Sequence, residues 1–208
     1  MPNQHIPAPE ALELLKLGNK RFVAETRKTT GSDHTRRTQL TVGQEPFAII
    51  LGCSDSRVPA ELVFDVGLGD LFVIRVAGNI VAPSQIGSVE FAVDRFKTRL
   101  VVVLGHSNCG AVCATLDELK QPAEERSPNM AAIVDRIRPS IEVLLDTDVR
   151  NAPEKLLHHA VMANIRASAN QLRHGSQIIE KLIQEDGLMI VGAHYSLDTG
   201  EVEFFDGV

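Results

Sequence analysis

The chain has 208 residues, 44% of them apolar and 23% charged, with a formal net charge of −6. These figures suit one globular domain with a sizeable core. The acidic balance argues against a nucleic-acid or anionic-membrane partner, and no run approaches the ~18 apolar residues of a membrane span. Three cysteines, an odd number, do not make a disulfide framework; they read as thiols with a metal, catalytic or packing role.

The opening MPNQHIPAPE has no basic stretch followed by an apolar one, so a cytoplasmic protein is expected. In PAPEALELLKLGNKRFVAET, apolar residues at 11, 12, 14, 15, 22 and 23 alternate with charges, the pattern of an amphipathic helix opened by Pro9-Glu10. A short helix follows around 33–42, where Arg36-Arg37 reads as a solvated face. These two helices form an N-terminal arm, residues 1–43, that the core of a single domain does not need.

The pattern then changes. PFAIILGC (46–53), LFVIRVAG (71–78) and RLVVVLGH (99–106) are nearly continuous apolar runs rich in β-branched residues, as in strands covered on both faces. Between the second and third, SQIGSVEFAVDRFK has helical spacing, with Ser84 as its cap. Strand–helix–strand order implies parallel pairing with right-handed crossovers. Helices are predicted over 109–120, 128–145, 152–173 and 174–186. GLMIVGAHYSL and EVEFFD, joined across Asp198-Thr199-Gly200, read as a last parallel strand and its hairpin partner. The expected fold is α/β: a mostly parallel four-stranded sheet with an added edge strand, flanked by helices, in one domain whose α/β core spans 44–208.

Chemistry gathers at two strand ends. GCSDSR (52–57) follows the first strand and GHSNCG (105–110) closes the third. In open parallel sheets ligands bind beyond the carboxyl ends of the strands. Cys53 and His106 stand there, and Cys109 lies three residues after His106 at a helix start, where unpaired N–H groups favour thiolate. Two thiolates, one imidazole and an open fourth position match a catalytic zinc site, so one Zn2+ per chain is expected on Cys53, His106 and Cys109. Cys113, one turn further, reads as core packing. Other cysteine, serine and nucleotide motifs fail on spacing: Cys53 to Arg57 is too short for a phosphatase loop, there is no C-x-x-C, and GHSNC is not a nucleophile elbow.

With CSDSR, LFVIRVAGN, GHSNCGAV and the closing TGEVEFF in view, the chain resembles the β-class carbonic anhydrases over nearly its whole length. The resemblance implies reversible hydration of carbon dioxide to bicarbonate by zinc-bound hydroxide, with Asp55 and Arg57 as catalytic dyad, and assembly as a homodimer or homotetramer. Regulated members carry a tryptophan three residues before the first zinc cysteine, where this chain has Ile50. Open, plant-like members carry a glutamine nine residues before it, and Gln44 stands there. By the same alignment Phe72 and Phe91 match pocket-lining aromatics, although plant-like members have Tyr in place of Phe91.

Charge gives the dyad its logic. Two thiolates and a neutral imidazole cancel the ion's charge, so its water needs help to attack in the right geometry. Asp55 is placed to accept a hydrogen bond from that water, and Arg57 to hold Asp55 off the metal by bidentate pairing. The Gly110 N–H would face the bicarbonate-like product. His5, His34, His158, His159, His174 and His194 are proton-export candidates by type only. Two rival readings are hydrolysis of carbonyl sulfide or carbon disulfide on the same scaffold, and a non-catalytic zinc module with a fourth protein ligand.

Overall fold

The computed structural model describes residues 6–28, 31–120 and 127–208; His5 lies outside them. Five strands form one sheet: β1 (Ala48–Gly52), β2 (Leu71–Arg75), β3 (Leu100–His106), β4 (Met189–Tyr195) and β5 (Val202–Asp206). Their order is β2-β1-β3-β4-β5. The first four run parallel, and β5 returns antiparallel along β4. Every residue of β1 and β3 is buried, which is why their sequences are continuous rather than alternating apolar runs.

Each sheet face has its own core. Ile49, Leu51, Val101 and Val103 pack with α4 (Pro83–Arg95), α5 (Gly110–Lys120), α6 (Pro128–Ile141), α7 (Pro153–His174) and α8 (Gln177–Glu185). Ala48, Ile50, Leu100, Val102 and Leu104 pack instead under α1 (Ala8–Val23) and the short α3 (Ala60–Val63). The first helix is therefore no dispensable arm. Ala8, Ala11, Leu12 and Leu15 are buried in that second core, and α1 is the main cover of one sheet face. Two residues fix its seat. A Cβ on Gly18 would lie 1.8 Å from the carbonyl oxygen of Phe64, so only glycine permits the approach. Asn19 donates to the carbonyls of Val63 and Gly200 and accepts from the Val202 N–H, tying the helix to the β4–β5 hairpin. Only α2 (His34–Gln39), capped by Asp33 and without a buried residue, fits the idea of an accessory element.

Element ends depart from expectation for local reasons. The fourth helix starts at Pro83, not under a Ser84 cap: Ala82 holds the cap position, and the hydroxyl of Ser84 bonds the Gln85 side chain. A proline in the first turn leaves one fewer N–H to satisfy. The helix expected to 145 stops at Ile141, two residues after Pro139, and continues as a 3-10 turn over Glu142–Asp146. Gly175 separates α7 from α8, whose first turn is capped by the Ser176 hydroxyl. The four-residue α3 was not expected at all.

Candidate metal centre

β1 and β3 lie side by side, with Gly52 in register with Leu104, so Cys53 and His106 emerge at the same edge. Beyond His106 the chain turns sharply. Asn108 adopts a left-handed φ of 54°, a conformation Asn tolerates better than most residues. Cys109 then accepts the first helical bond, from the Cys113 N–H, and α5 begins at Gly110. The turn is anchored to the neighbouring strand: the Ser107 N–H donates to the Tyr195 carbonyl, and the Ser107 hydroxyl accepts from the Leu197 N–H.

The result is a convergence of donors. Ligand atoms of Cys53, His106 and Cys109 all lie within 4.8 Å of one another, and all three residues are buried. Among the described residues this is the only such group of three. A tetrahedral zinc with Zn–S of ~2.3 Å and Zn–N of ~2.0–2.1 Å places its donors roughly 3.5–3.8 Å apart, within that limit. His106 accounts for one ring nitrogen through the Ser107 carbonyl, 2.9 Å from Nδ1, while Nε2 is buried without a hydrogen-bond partner. An orphaned buried imidazole nitrogen between two thiols is what a metal ligand looks like before its metal. The thiols are already unequal. The hydrogen bond from Cys109 pulls the Cys53 thiol down to about 4 against the effect of burial, helped by His106 and by the Gly78 N–H. The same pairing and burial push Cys109 up.

Asp55 and Arg57 stand beside the cluster. Arg57 donates from Nε to Oδ1 at 2.9 Å and from Nη2 to Oδ2 at 2.7 Å, and its backbone N–H adds a third bond at 3.0 Å. Arg57 holds the carboxyl well below the usual carboxylate range, so Asp55 is an ionised acceptor. Its Oδ2 lies 3.8 Å from His106 Nε2.

Supporting residues were not singled out in the sequence. Arg75, at the end of β2, donates to the carbonyls of Cys53 (3.0 Å) and Asp55 (2.6 Å) and fixes the loop between them. The signal was a lone arginine closing an otherwise apolar strand. Gly78 directs its N–H at the Cys53 sulfur, 3.3 Å away. Its φ is 69°, and a Cβ there would meet Ile137 and Ala111 at 2.8 and 3.0 Å, so glycine is required. Asn164 of α7 donates to the Gly78 carbonyl at 2.8 Å and holds that turn in place.

A sequence profile described as carbonic anhydrase matches residues 48–202. The chain belongs to the carbonic anhydrase family. Two mycobacterial relatives match it nearly end to end. One is a carbonic anhydrase of Mycolicibacterium smegmatis, 40% identical over 203 residues, which cover 98% of this chain and 95% of the relative. The other is carbonic anhydrase 2 of Mycobacterium tuberculosis, 36% identical over 208 residues, which cover 100% and 97%. The β class follows from solved structures. The β-carbonic anhydrase CafA of Aspergillus fumigatus superposes with a TM-score of 0.73 at 26% identity, over 83% of this chain and 81% of that one. One of two tetrameric β-carbonic anhydrases of Sordaria macrospora superposes with a TM-score of 0.69 at 26% identity, over 81% and 85%.

Within one chain of this β-carbonic anhydrase, not every expected site residue reaches the cluster. Gln44 is exposed and precedes β1, whereas Cys53 follows the other end of that strand. Phe72 is in register with Ile49, four positions before Cys53, or ~13 Å along the strand. Its ring packs with Phe91 and Phe96 at centroid distances of 6.1 and 5.8 Å. Phe91 is 54% exposed. Gly110 is exposed at the start of α5, beside Cys109. Cys113 is half-buried and outside the donor group. No helix among the described residues is long and apolar enough to cross a membrane.

Proposed function

We propose that this carbonic anhydrase converts carbon dioxide and water reversibly to bicarbonate and a proton, using one zinc ion held by Cys53, His106 and Cys109. The observation that carries the reading is the convergence of those three donors beside a carboxylate immobilised by a bidentate arginine. Zinc, when bound, supplies a Lewis acid that makes water nucleophilic near neutral pH. The chain does the rest. Asp55 stays ionised and can only accept, so it orients an O–H toward itself and leaves a lone pair free for the substrate carbon. Arg57 occupies both carboxylate oxygens and restrains Asp55 from becoming a fourth ligand. This weighs against a purely structural zinc module, which needs a fourth protein ligand: Asp55 is engaged and Cys113 stands outside the group. To the Gly110 N–H, at the positive end of α5, we assign the stabilisation of developing negative charge.

The substrate is apolar and needs an apolar slot with few polar groups. Gln44, Phe72 and Phe91 are the residues we assign to it. They lie away from the cluster of their own chain, so a second copy must bring them there; a homodimer or homotetramer follows. Free thiols as ligands also fit a reducing compartment such as the cytoplasm.

Stopped-flow carbon dioxide hydration, with zinc quantified on the same sample, tests the reading. Activity proportional to zinc content, lost in Asp55→Ala with zinc retained, is expected. Full zinc with no hydration would leave only the structural role.

A further inference from the structure

We propose that His158 and His194 form a second metal site, for a borderline divalent cation such as nickel, cobalt(II) or zinc, on the α7 side of the sheet. This goes beyond the catalytic centre and uses none of its residues. His194 lies on β4, with Gly105 of β3 beside it on one ladder and Glu203 of β5 on the other. It is 9% exposed, and its Nε2 is buried without a hydrogen-bond partner. Buried polar atoms are rarely left so. What faces it from the helix layer is another imidazole.

That imidazole is His158, in the second turn of α7. The helix runs back along β4. Arg173 near its far end bonds the Ile190 carbonyl, and His158 near its start meets His194. The two ring centres are 5.5 Å apart with planes at 82°. Two imidazoles sharing a tetrahedral ion at ~2.0–2.1 Å each have ring centres roughly 5 Å apart, so a small turn of the exposed His158 suffices. Further donors stand at the rim. His159 is exposed, with its ring centre 5.8 Å from that of His158, and Glu203 presents an exposed carboxylate opposite His194. As the side chains stand neither joins the pair in a three-donor group, so water would fill the remaining positions.

The donor chemistry selects the occupant. Imidazole and carboxylate without sulfur suit nickel, cobalt, copper or zinc, whereas the Cys53–His106–Cys109 set is thiolate-rich. Burial, and then the neighbouring His158, holds His194 below the ordinary imidazole range despite Glu203. Its ring is therefore in the neutral form that ligates.

The experiment is equilibrium dialysis of the zinc-loaded protein against nickel chloride, with both metals counted per chain. The wild type should keep one zinc and take up one exchangeable nickel. His158→Ala should weaken nickel uptake at least ~10-fold and leave zinc content unchanged; His194→Gln should do the same. His158 is exposed, so its variant serves alone if His194→Gln fails to fold. Absence of nickel from the wild type would overturn the site, as would undiminished uptake by His158→Ala.

Discussion

Two buried histidines, His106 and His194, sit one residue out of step on neighbouring strands, and each has an Nε2 without a partner. Their surroundings differ. His106 is completely buried, has its Nδ1 fixed by the Ser107 carbonyl, and faces two thiols and a carboxylate. His194 lies nearer the surface and faces His158 and Glu203. The first is braced by neighbours that leave it one orientation; the second depends on exposed side chains that can turn. One strand edge thus carries a rigid, sulfur-rich position and, one step away, a looser one built of nitrogen and oxygen donors. On the two proposals above, rigidity would separate a site that must hold an ion through turnover from one that exchanges it.

The largest break in this comparison is the loss of a rigid donor. Cys53→Ala should empty the catalytic centre and lower kcat/KM by at least ~10^4-fold, measured by stopped flow with metal analysis; full zinc content in that variant would remove Cys53 from the ligand set. Next is Asp55→Ala, which should retain zinc and lose ~10^2–10^4-fold in kcat. Arg57→Ala should lose activity by a different route, because the released Asp55 swings toward the ion. A crystal structure of the zinc-loaded variant with Asp55 still turned away would refute the restraint assigned to Arg57.

Gly105 lies between the two histidines and sharpens the contrast structurally. A Cβ there would meet Ile165 of α7 at 2.5 Å. Gly105→Ala should therefore destabilise the fold by about 1–3 kcal/mol, read as a fall of several degrees in Tm. The smallest effect is the pH response of His194. Its folded pKa is lowered, chiefly by burial, so above the ordinary imidazole value of ~6.5 both folded and unfolded chains hold it neutral. As pH falls below that value the unfolded chain takes up a proton that the folded chain resists, and stability is lost. Between pH ~7 and ~5, His194→Gln should lose less Tm than the wild type; equal losses would show that His194 does not resist protonation.

The donor cluster was legible because its residues are local in sequence. GCSDSR and GHSNCG each pack their reactive residues into six positions, and continuous β-branched runs announced the buried strands that bring them together. What the sequence hid depends on tertiary packing. Asn164 is one polar residue inside a 22-residue helix, and nothing near it in sequence indicates that it reaches Gly78. The role of α1 was obscured because amphipathic periodicity reports an apolar face but not what covers it. His194 and His158 meet only through the packing of α7 on β4. Gln44 and Phe72 show the converse, since recognisable motif positions need not converge within a single chain.

The hydrogen bond from Asn164 to the Gly78 carbonyl has a consequence for biosynthesis. All three sulfur and nitrogen donors have left the ribosome once residue 109 has emerged. The turn that aims an N–H at the Cys53 sulfur is secured only when α7 arrives, 55 residues later. Proteins emerge from their N-terminus, so nascent chains expose reactive thiols before they can clamp a cation. On the proposed zinc reading, metal loading would be coupled to completion of the C-terminal half, and truncated chains ending before α7 should carry their cysteines unprotected.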